Sequence, residues 1–230
     1  MTRLTGQERA TYVQKMFTQI ARRYDLMNRL MTGGQDVRWR KQVIQLARLG
    51  NHARLLDLGT GTGDLAREAA TQFPRARVIA ADFTLEMMRV GQRRGPLNFS
   101  SADALRLPFT DSSFDAVVSG FLMRNVIDLQ KAIQEQHRVL KKGGRIVILD
   151  TTRPKKNLLS PFIWLHMHVV IPLLGKLLTG SSDAYRYLPE TTEGFVTAEN
   201  MASRMAAAGF KKVGYQRFMF GTIAIHWGEK

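Results

Sequence analysis

The chain has no cysteine among its 230 residues, so disulfide staples, thiolate metal sites and a cysteine nucleophile are all excluded. Acids are scarce. Nineteen Asp and Glu face 34 Lys and Arg, and the formal net charge is +15. Nucleic acid, an anionic membrane surface or a solvated basic face would each account for that excess. Zinc-finger spacing, arginine-glycine tracts and aromatic RNA-reading strands are missing, which ranks nucleic acid below a membrane. Met1 to Arg9 holds no apolar stretch, so no signal peptide is expected, and the pair Arg22-Arg23 is not followed by a secretion signal. The chain lacks internal repeats and low-complexity tracts. Its length suits one large α/β domain with a real core. The lack of cysteine agrees with a reducing, cytoplasmic setting, and no metal site is expected.

Apolar runs alternate with helical patterns through the middle of the chain. Strands are expected at 54–58, 77–81, 97–101, 114–119 and 145–150, with helices at 64–71, 84–93 and 129–140 between them. The last of these helices is expected to end on Lys141-Lys142-Gly143-Gly144, where cations and glycine suit a helix C-terminus. Such alternation demands parallel strands with right-handed crossovers. A helix over 197–208 and two strand-like segments, 212–218 and 222–227, break the pattern and predict an antiparallel hairpin at the sheet edge. Before the alternation, 8–23 reads as a helix, 24–36 as a mixture of apolar and turn residues, and 37–49 as a helix capped by Asp36. The predicted layout is an N-terminal helical cap over residues 1–50 and a main domain over 51–230 with an apolar insertion at 155–195.

Asn157 to Gly175 contains no Asp, Glu, Lys or Arg over 19 residues. Pro161, Pro172, His166 and His168 interrupt it, which argues against a membrane-spanning helix. A buried core helix and a lid that shapes an apolar pocket or dips into a membrane interface both remain open. His166 and His168 could face such a pocket. His137 reads as a surface residue in mid-helix.

The most informative stretch is Asp57-Leu58-Gly59-Thr60-Gly61-Thr62-Gly63-Asp64, a glycine-rich turn at the end of a buried strand. There bare backbone can approach a ligand. The glycines follow G-x-G-x-G and not the dinucleotide pattern. Asp82, after the second apolar run, suits a ribose diol. Asp103-Ala104 lies beyond the third strand. Together these resemble the S-adenosylmethionine (SAM) site of class I methyltransferases. In that reading Gly59, Gly61 and Gly63 face the methionine end, Phe83 and Ala104 sandwich the adenine, and Asp103 accepts from its exocyclic amine. Asp57 orients the loop or the ammonium group, or else bonds nearby backbone amides.

Methyl transfer from a sulfonium gains most from orientation and from excluding water. The end of the fourth strand, Ser119-Gly120-Phe121-Leu122-Met123-Arg124-Asn125, is where acceptor meets donor in such folds. Arg124 could stabilise an aryl oxyanion, or could pair with a carboxylate such as Asp128 and fix the loop.

Tyr24-Asp25-x-Met27-Asn28, the glycine turn, Ala104-x-x-Leu107-Pro108-Phe109, Arg124-Asn125-Val126-x-Asp128, Tyr187-Leu188-Pro189 and Gly221 to Gly228 occur in order. This series resembles the ubiquinone/menaquinone-biosynthesis C-methyltransferase family over nearly the whole chain. The resemblance implies a Rossmann-like, seven-stranded α/β methyltransferase sheet with a C-terminal antiparallel hairpin. It implies SAM as cofactor, contacted by Thr62, Asp82, Asp103 and Ala104, with Tyr24, Arg124 and Asn125 near the acceptor. The reaction implied is C-methylation of a polyprenylated quinol, demethylmenaquinol foremost. A benzoquinol, another lipophilic small molecule and a non-enzymatic SAM- or quinone-binding subunit are the alternatives. Relatives acting on both quinone types often carry serine where this chain has Gly120, and Gly120 is nearer the menaquinone-only pattern. A prenyl tail would account for the apolar insertion, and an anionic leaflet for the basic surface, on the inner face of the membrane. A homodimer is left open.

Overall fold

Alternating burial sorts the strand residues onto two faces. In β1 (Arg54–Leu58), Leu56 and Leu58 join one apolar cluster and Leu55 the other. In β4 (Phe114–Gly120), Val117 opposes Ala116 and Val118 in the same way. This period of two, with both faces apolar, is what a parallel sheet covered on both sides requires. One face is covered by α6 (Leu129–Val139) and α10 (Ala198–Ala207), through Ile133, Met201 and Met205. The other is covered by α3 (Gln35–Ala47) and α4 (Asp64–Gln72), through Trp39, Val43, Ile44 and Leu65.

The computed structural model describes residues 6–154, 158, 160–179 and 183–230, with backbone alone at 176–179, 183–186 and 188. Its strands form one sheet in the order β3-β2-β1-β4-β5-β7-β6. Here β2 is Arg77–Asp82, β3 Asn98–Ser101, β5 Leu140–Thr151, β6 Lys211–Phe218 and β7 Ile223–Glu229. β7 runs antiparallel to β5, and β6 to β7, as the terminal hairpin predicted. β1 has β2 on one side and β4 on the other. The strand order therefore reverses between β1 and β4, and the loops leaving their carboxyl ends diverge into a crevice.

Four expectations need correction. The segment read as turn-rich holds a helix, α2 (Tyr24–Met31), after α1 (Gly6–Ile20). Burial of Met27 against Ile20 and Ile171 outweighs the local polarity. Asp36 does not cap α3. It lies inside the first turn, fully buried, where it accepts from Thr32 and pairs with Arg40. Lys141 to Gly144 do not end a helix but begin β5. Gly144 allows the strands to close, since a Cβ there would stand 3.0 Å from the Asp115 carbonyl oxygen. His137 is half-buried, its ring edge-on to Phe210 at 4.9 Å.

The apolar insertion is not a buried core helix. It forms α7 (Ser160–Leu165), a π-helical turn over 166–170 and α8 (Ile171–Thr179), followed by α9 (Asp183–Gly194). Pro172 has no N–H to give the His168 carbonyl, and the π turn, closed by Ile171 N–H on the His166 carbonyl, absorbs the mismatch. Ile163, Met167 and Ile171 face inward, while Phe162 (70% exposed) and Trp164 (56%) face out. Among the described residues no helix is long and apolar enough to cross a membrane.

The helix α5 (Leu85–Arg93) approaches the glycine-rich loop so closely that a Cβ on Gly91 would stand 2.6 Å from the Thr62 carbonyl oxygen. Gly91→Ala is expected to lower unfolding free energy by about 1–3 kcal/mol through overpacking and to weaken SAM binding. Urea denaturation and calorimetric titration check both, and an alanine variant that matched the parent in each would refute this tight contact.

Candidate active site

The loop after β1 turns on residues in the left-handed region. Gly59 has φ 67° and Gly61 φ 58°. A Cβ at Gly59 would stand 2.9 Å from the Leu122 side chain, so the loop after β4 closes directly onto this turn. Gly63, at φ 91°, is the residue before α4, and its missing Cβ faces Leu97, 2.5 Å away. Its missing side chain lets Leu97 pack against the loop from behind.

That wall encloses about 180 Å³ and includes Gly59, Gly61, Thr62 and Gly120. Three acids lie along it at the ends of successive strands. Asp57 is wholly buried, and its Oδ2 accepts from the Thr60 hydroxyl and from Ala66 N–H at 3.0 Å. Its Oδ1 has no hydrogen-bond partner. Burial pushes its pKa up to about 7, against the pull of those hydrogen bonds. Asp82 accepts from Gly61 N–H at 2.8 Å and Thr84 N–H at 2.7 Å, and burial raises its pKa too. Asp103 is exposed and accepts from Leu105 N–H at 2.9 Å. Phe83, exposed, and Ala104, buried, complete this side of the wall.

The far wall comes from the β4 loop and from α1. Gly120 abuts Leu65, which a Cβ would meet at 3.1 Å. The Asn125 amide donates to the Phe121 carbonyl at 3.0 Å, and its Oδ1 accepts from the Tyr187 hydroxyl at 3.3 Å. Val13, Gln14 and Phe17 of α1 cover the pocket. Gln14 donates to the Phe83 carbonyl, and Arg9 to the Arg124 carbonyl at 2.7 Å, so α1 is fastened on both sides of the opening.

One contributor that sequence reasoning missed is Asp25. It accepts from the Thr62 hydroxyl at 2.8 Å and pairs with Arg94 at 2.7 Å. Arg94 also pairs with Asp64, which pairs with Arg40, which pairs with Asp36. This chain of charges joins α2, α3, α4 and the end of α5 beneath the glycine loop. Burial and the neighbouring Asp64 raise the Asp25 pKa. Its one signal was its place in the Tyr24-Asp25-x-Met27-Asn28 motif, within a segment that read as a mixture of apolar and turn residues.

Tyr24 lines the pocket, and burial raises its hydroxyl pKa against the lowering pull of Arg124. Arg124 itself lies on the other side of Phe121. Its guanidinium stands over the Phe121 ring at 5.2 Å and pairs with buried Asp150 at 2.9 Å. The partner is Asp150 and not Asp128, which caps α6 by accepting from Lys131 N–H. Arg124 faces a second cavity, of about 560 Å³, that shares Phe121 with the first. Phe162, Ile163, Met167 and Ile171 give it an apolar side, and His166 also faces it.

The pocket's features fit the proposed cofactor: bare backbone at Gly59 and Gly61, an unpartnered buried carboxylate oxygen on Asp57, and Asp82 at the next strand end. Comparison with known proteins agrees. The sequence profile of the ubiE/COQ5 methyltransferase family matches residues 4–230. The chain is 46% identical over 221 residues to "Ubiquinone/menaquinone biosynthesis C-methyltransferase UbiE" of Desulfotalea psychrophila, covering 95% of this chain and 90% of that one. It is 44% identical over 220 residues to "Demethylmenaquinone methyltransferase" of Thermus thermophilus, covering 94% and 100%. Among solved structures, the [4+2]-cyclase SpnF superposes with a TM-score of 0.69 at 17% identity, over 98% of this chain and 96% of that one, a likeness of fold alone. By its profile, its relatives and its sheet, this chain belongs to the ubiE/COQ5 methyltransferase family.

Proposed function

We propose that this enzyme transfers the methyl group of SAM to a ring carbon of a polyprenylated quinol, with demethylmenaquinol as the acceptor. The observation that carries this reading is the adjacency of a bare-backbone pocket and a second, largely apolar cavity across the Phe121–Arg124 pair. Gly120, in place of serine, favours the naphthoquinol ring. When bound, SAM supplies an electrophilic methyl. Asp82 holds the ribose, Asp103 reads the adenine edge, and Phe83 with Ala104 flanks it. Asp57 Oδ1 receives the ammonium group, directly or through water. The cap formed by α1, α2 and α3 excludes water from the reacting atoms. The guanidinium of Arg124 is held in place by Asp150 and stabilises negative charge on a ring oxygen.

The basic surface and the exposed apolar residues of α7 support docking on an anionic leaflet, on the inner face of the membrane. Arg22, just before α2, and Leu26, Arg29 and Leu30 on it are exposed beside the cluster of Ile20, Met27 and Ile171. Each close cation adds about 1 kcal/mol to attraction toward such a leaflet.

Three outcomes test this reading. The first is turnover. Purified protein with SAM should methylate a short-tail demethylmenaquinol, read by mass spectrometry. Arg124→Lys should cut turnover about tenfold or more while SAM affinity shifts less than about twofold, because the cation remains but its planar fork is lost. SAM binding without transfer to any quinol would leave only a binding subunit.

The second is pH dependence. The Asp57 pKa is raised from 3.8 to about 7, so the folded protein retains a proton that the unfolded chain has lost, and free-protein stability falls as pH rises through that window. A cation beside Oδ1 favours the carboxylate and releases the proton. SAM affinity should therefore rise between about pH 6 and about pH 7.5. Asp57→Asn should flatten the profile in calorimetry, and an unchanged slope would remove Asp57 from this role.

The third is membrane binding. The protein should co-sediment with anionic vesicles more than with neutral ones, and less at high salt. Equal, salt-independent binding to both would exclude the electrostatic part.

A further inference from the structure

The loop after β4 carries a strained residue. Phe121 has φ 59°, in the left-handed region that a bulky side chain rarely enters. Such a conformation persists only where its surroundings hold it. Three hydrogen bonds do so here. Phe121 N–H donates to the Leu149 carbonyl at 2.7 Å and Asn125 N–H to the Leu122 carbonyl at 2.8 Å. The Asn125 side-chain amide donates to the Phe121 carbonyl itself at 3.0 Å. The loop they fix borders both spaces and sets the Arg124 guanidinium over the Phe121 ring.

The third bond depends on which way Asn125 turns its amide. The two ends differ, since Nδ2 only donates and Oδ1 only accepts. With Nδ2 on the Phe121 carbonyl, Oδ1 needs a donor of its own. That donor is the hydroxyl of Tyr187, at 3.3 Å, which arrives from α9, 62 residues along the chain. Tyr187 opens the Tyr187-Leu188-Pro189 motif, which the proposed reaction does not use. It lines neither space. Its ring packs against the cluster of Met16, Ile20, Met27 and Ile171 and meets the Tyr12 ring of α1 at 5.8 Å. Phenylalanine would supply that packing equally well. The hydroxyl is a separate requirement, and its partner among the described residues is Asn125.

We infer that Tyr187 is a positioning residue for methyl transfer: its hydroxyl holds the Asn125 amide, which holds Phe121 and Arg124 at the boundary between donor and acceptor. The role rests on the proposed quinol methylation and adds to it a group in α9 that touches neither substrate. Tyr187 neither gives nor takes a proton in the reaction. In-line displacement requires the reacting carbons to be aligned at about 3–3.5 Å. A shift of the β4 loop spoils that alignment without removing any group that binds SAM or the quinol. Loss of the hydroxyl therefore falls on kcat and spares binding. A hydroxyl that served the fold alone would lower the melting temperature and leave the turnover of folded protein unchanged.

The test is Tyr187→Phe, which keeps the ring and removes the hydroxyl. Its kcat on a short-tail demethylmenaquinol should fall about fivefold. KM for the quinol and calorimetric SAM affinity should stay within about twofold, and the melting temperature should fall by no more than about 4 °C. The same replacement made in an Asn125→Ala background should change the rate by less than about twofold, because the hydroxyl then has nothing to hold. Single-turnover rates with isotopically labelled SAM keep a slow Asn125→Ala variant measurable. An unchanged kcat in Tyr187→Phe, with the parent active, would overturn the assignment. So would an equal loss of rate with and without the Asn125 side chain, which would make the hydroxyl independent of that residue. A parent protein inactive on every quinol would remove the reading beneath and this role with it, an outcome seen before any variant is made.

Discussion

The site depends on the way Asp57 holds the glycine-rich turn. One carboxylate oxygen ties the Thr60 hydroxyl to the Ala66 amide, so the turn and the first residues of α4 are fixed against the end of β1. The other oxygen is left without a partner in a wholly buried position. A buried carboxylate with one satisfied and one open oxygen is costly in a free protein, and burial accordingly raises its pKa. The same arrangement keeps a stretch of backbone bare where side chains would obstruct a ligand. Because Gly59 has no Cβ, the β4 loop can close onto that stretch through Leu122. Shape and charge at this end of the sheet therefore come from one local constraint.

The N-terminal helices are bound into that constraint by electrostatics as well as by packing. Asp25 on α2 meets Thr62 of the turn, and a series of ion pairs through Arg94, Asp64 and Arg40 leads to Asp36 at the start of α3. Asp36, Arg40 and Asp64 are largely removed from water, so each needs its neighbour, and removing one would leave another unpaired. The cap over the pocket is thus coupled to the turn beneath it. The hydrogen bonds of Gln14 and Arg9 fasten its outer end to the residues after β2 and β4. Fold by itself says little about the reaction, as the cyclase with the same architecture illustrates. In this chain Phe121 borders two spaces, one edged by strand-end acids and the other mostly apolar.

Much of this was legible in the residues alone. The buried strands, the acids at their ends and the terminal hairpin follow from hydrophobic period and turn chemistry, which act within a few residues of one another. Asp57 and Asp82 could be singled out because each ends an apolar run, and Asp103 because it lies beyond the third strand. Gly63 could not be told from Gly59 and Gly61, since which way an absent Cβ would point depends on the helix and strand behind it. Asp36 was read as a cap because its neighbours fit that role, whereas its true partners are Arg40 one turn on and Thr32 one turn back.

The order of apolar runs, glycines and acids determined the sheet, the crevice at its reversal and the residues that edge it, because those properties arise from backbone geometry and local burial. Only the tertiary structure decided that Arg124 pairs with Asp150, that Asp25 reaches Thr62, and that Thr151 and Thr192 share one cavity with the apolar insertion. The partners in each case are between 26 and 41 residues apart in the chain. No local pattern encodes such distances, and the packing of α2, α9 and the π-turned helix against the sheet brings them together.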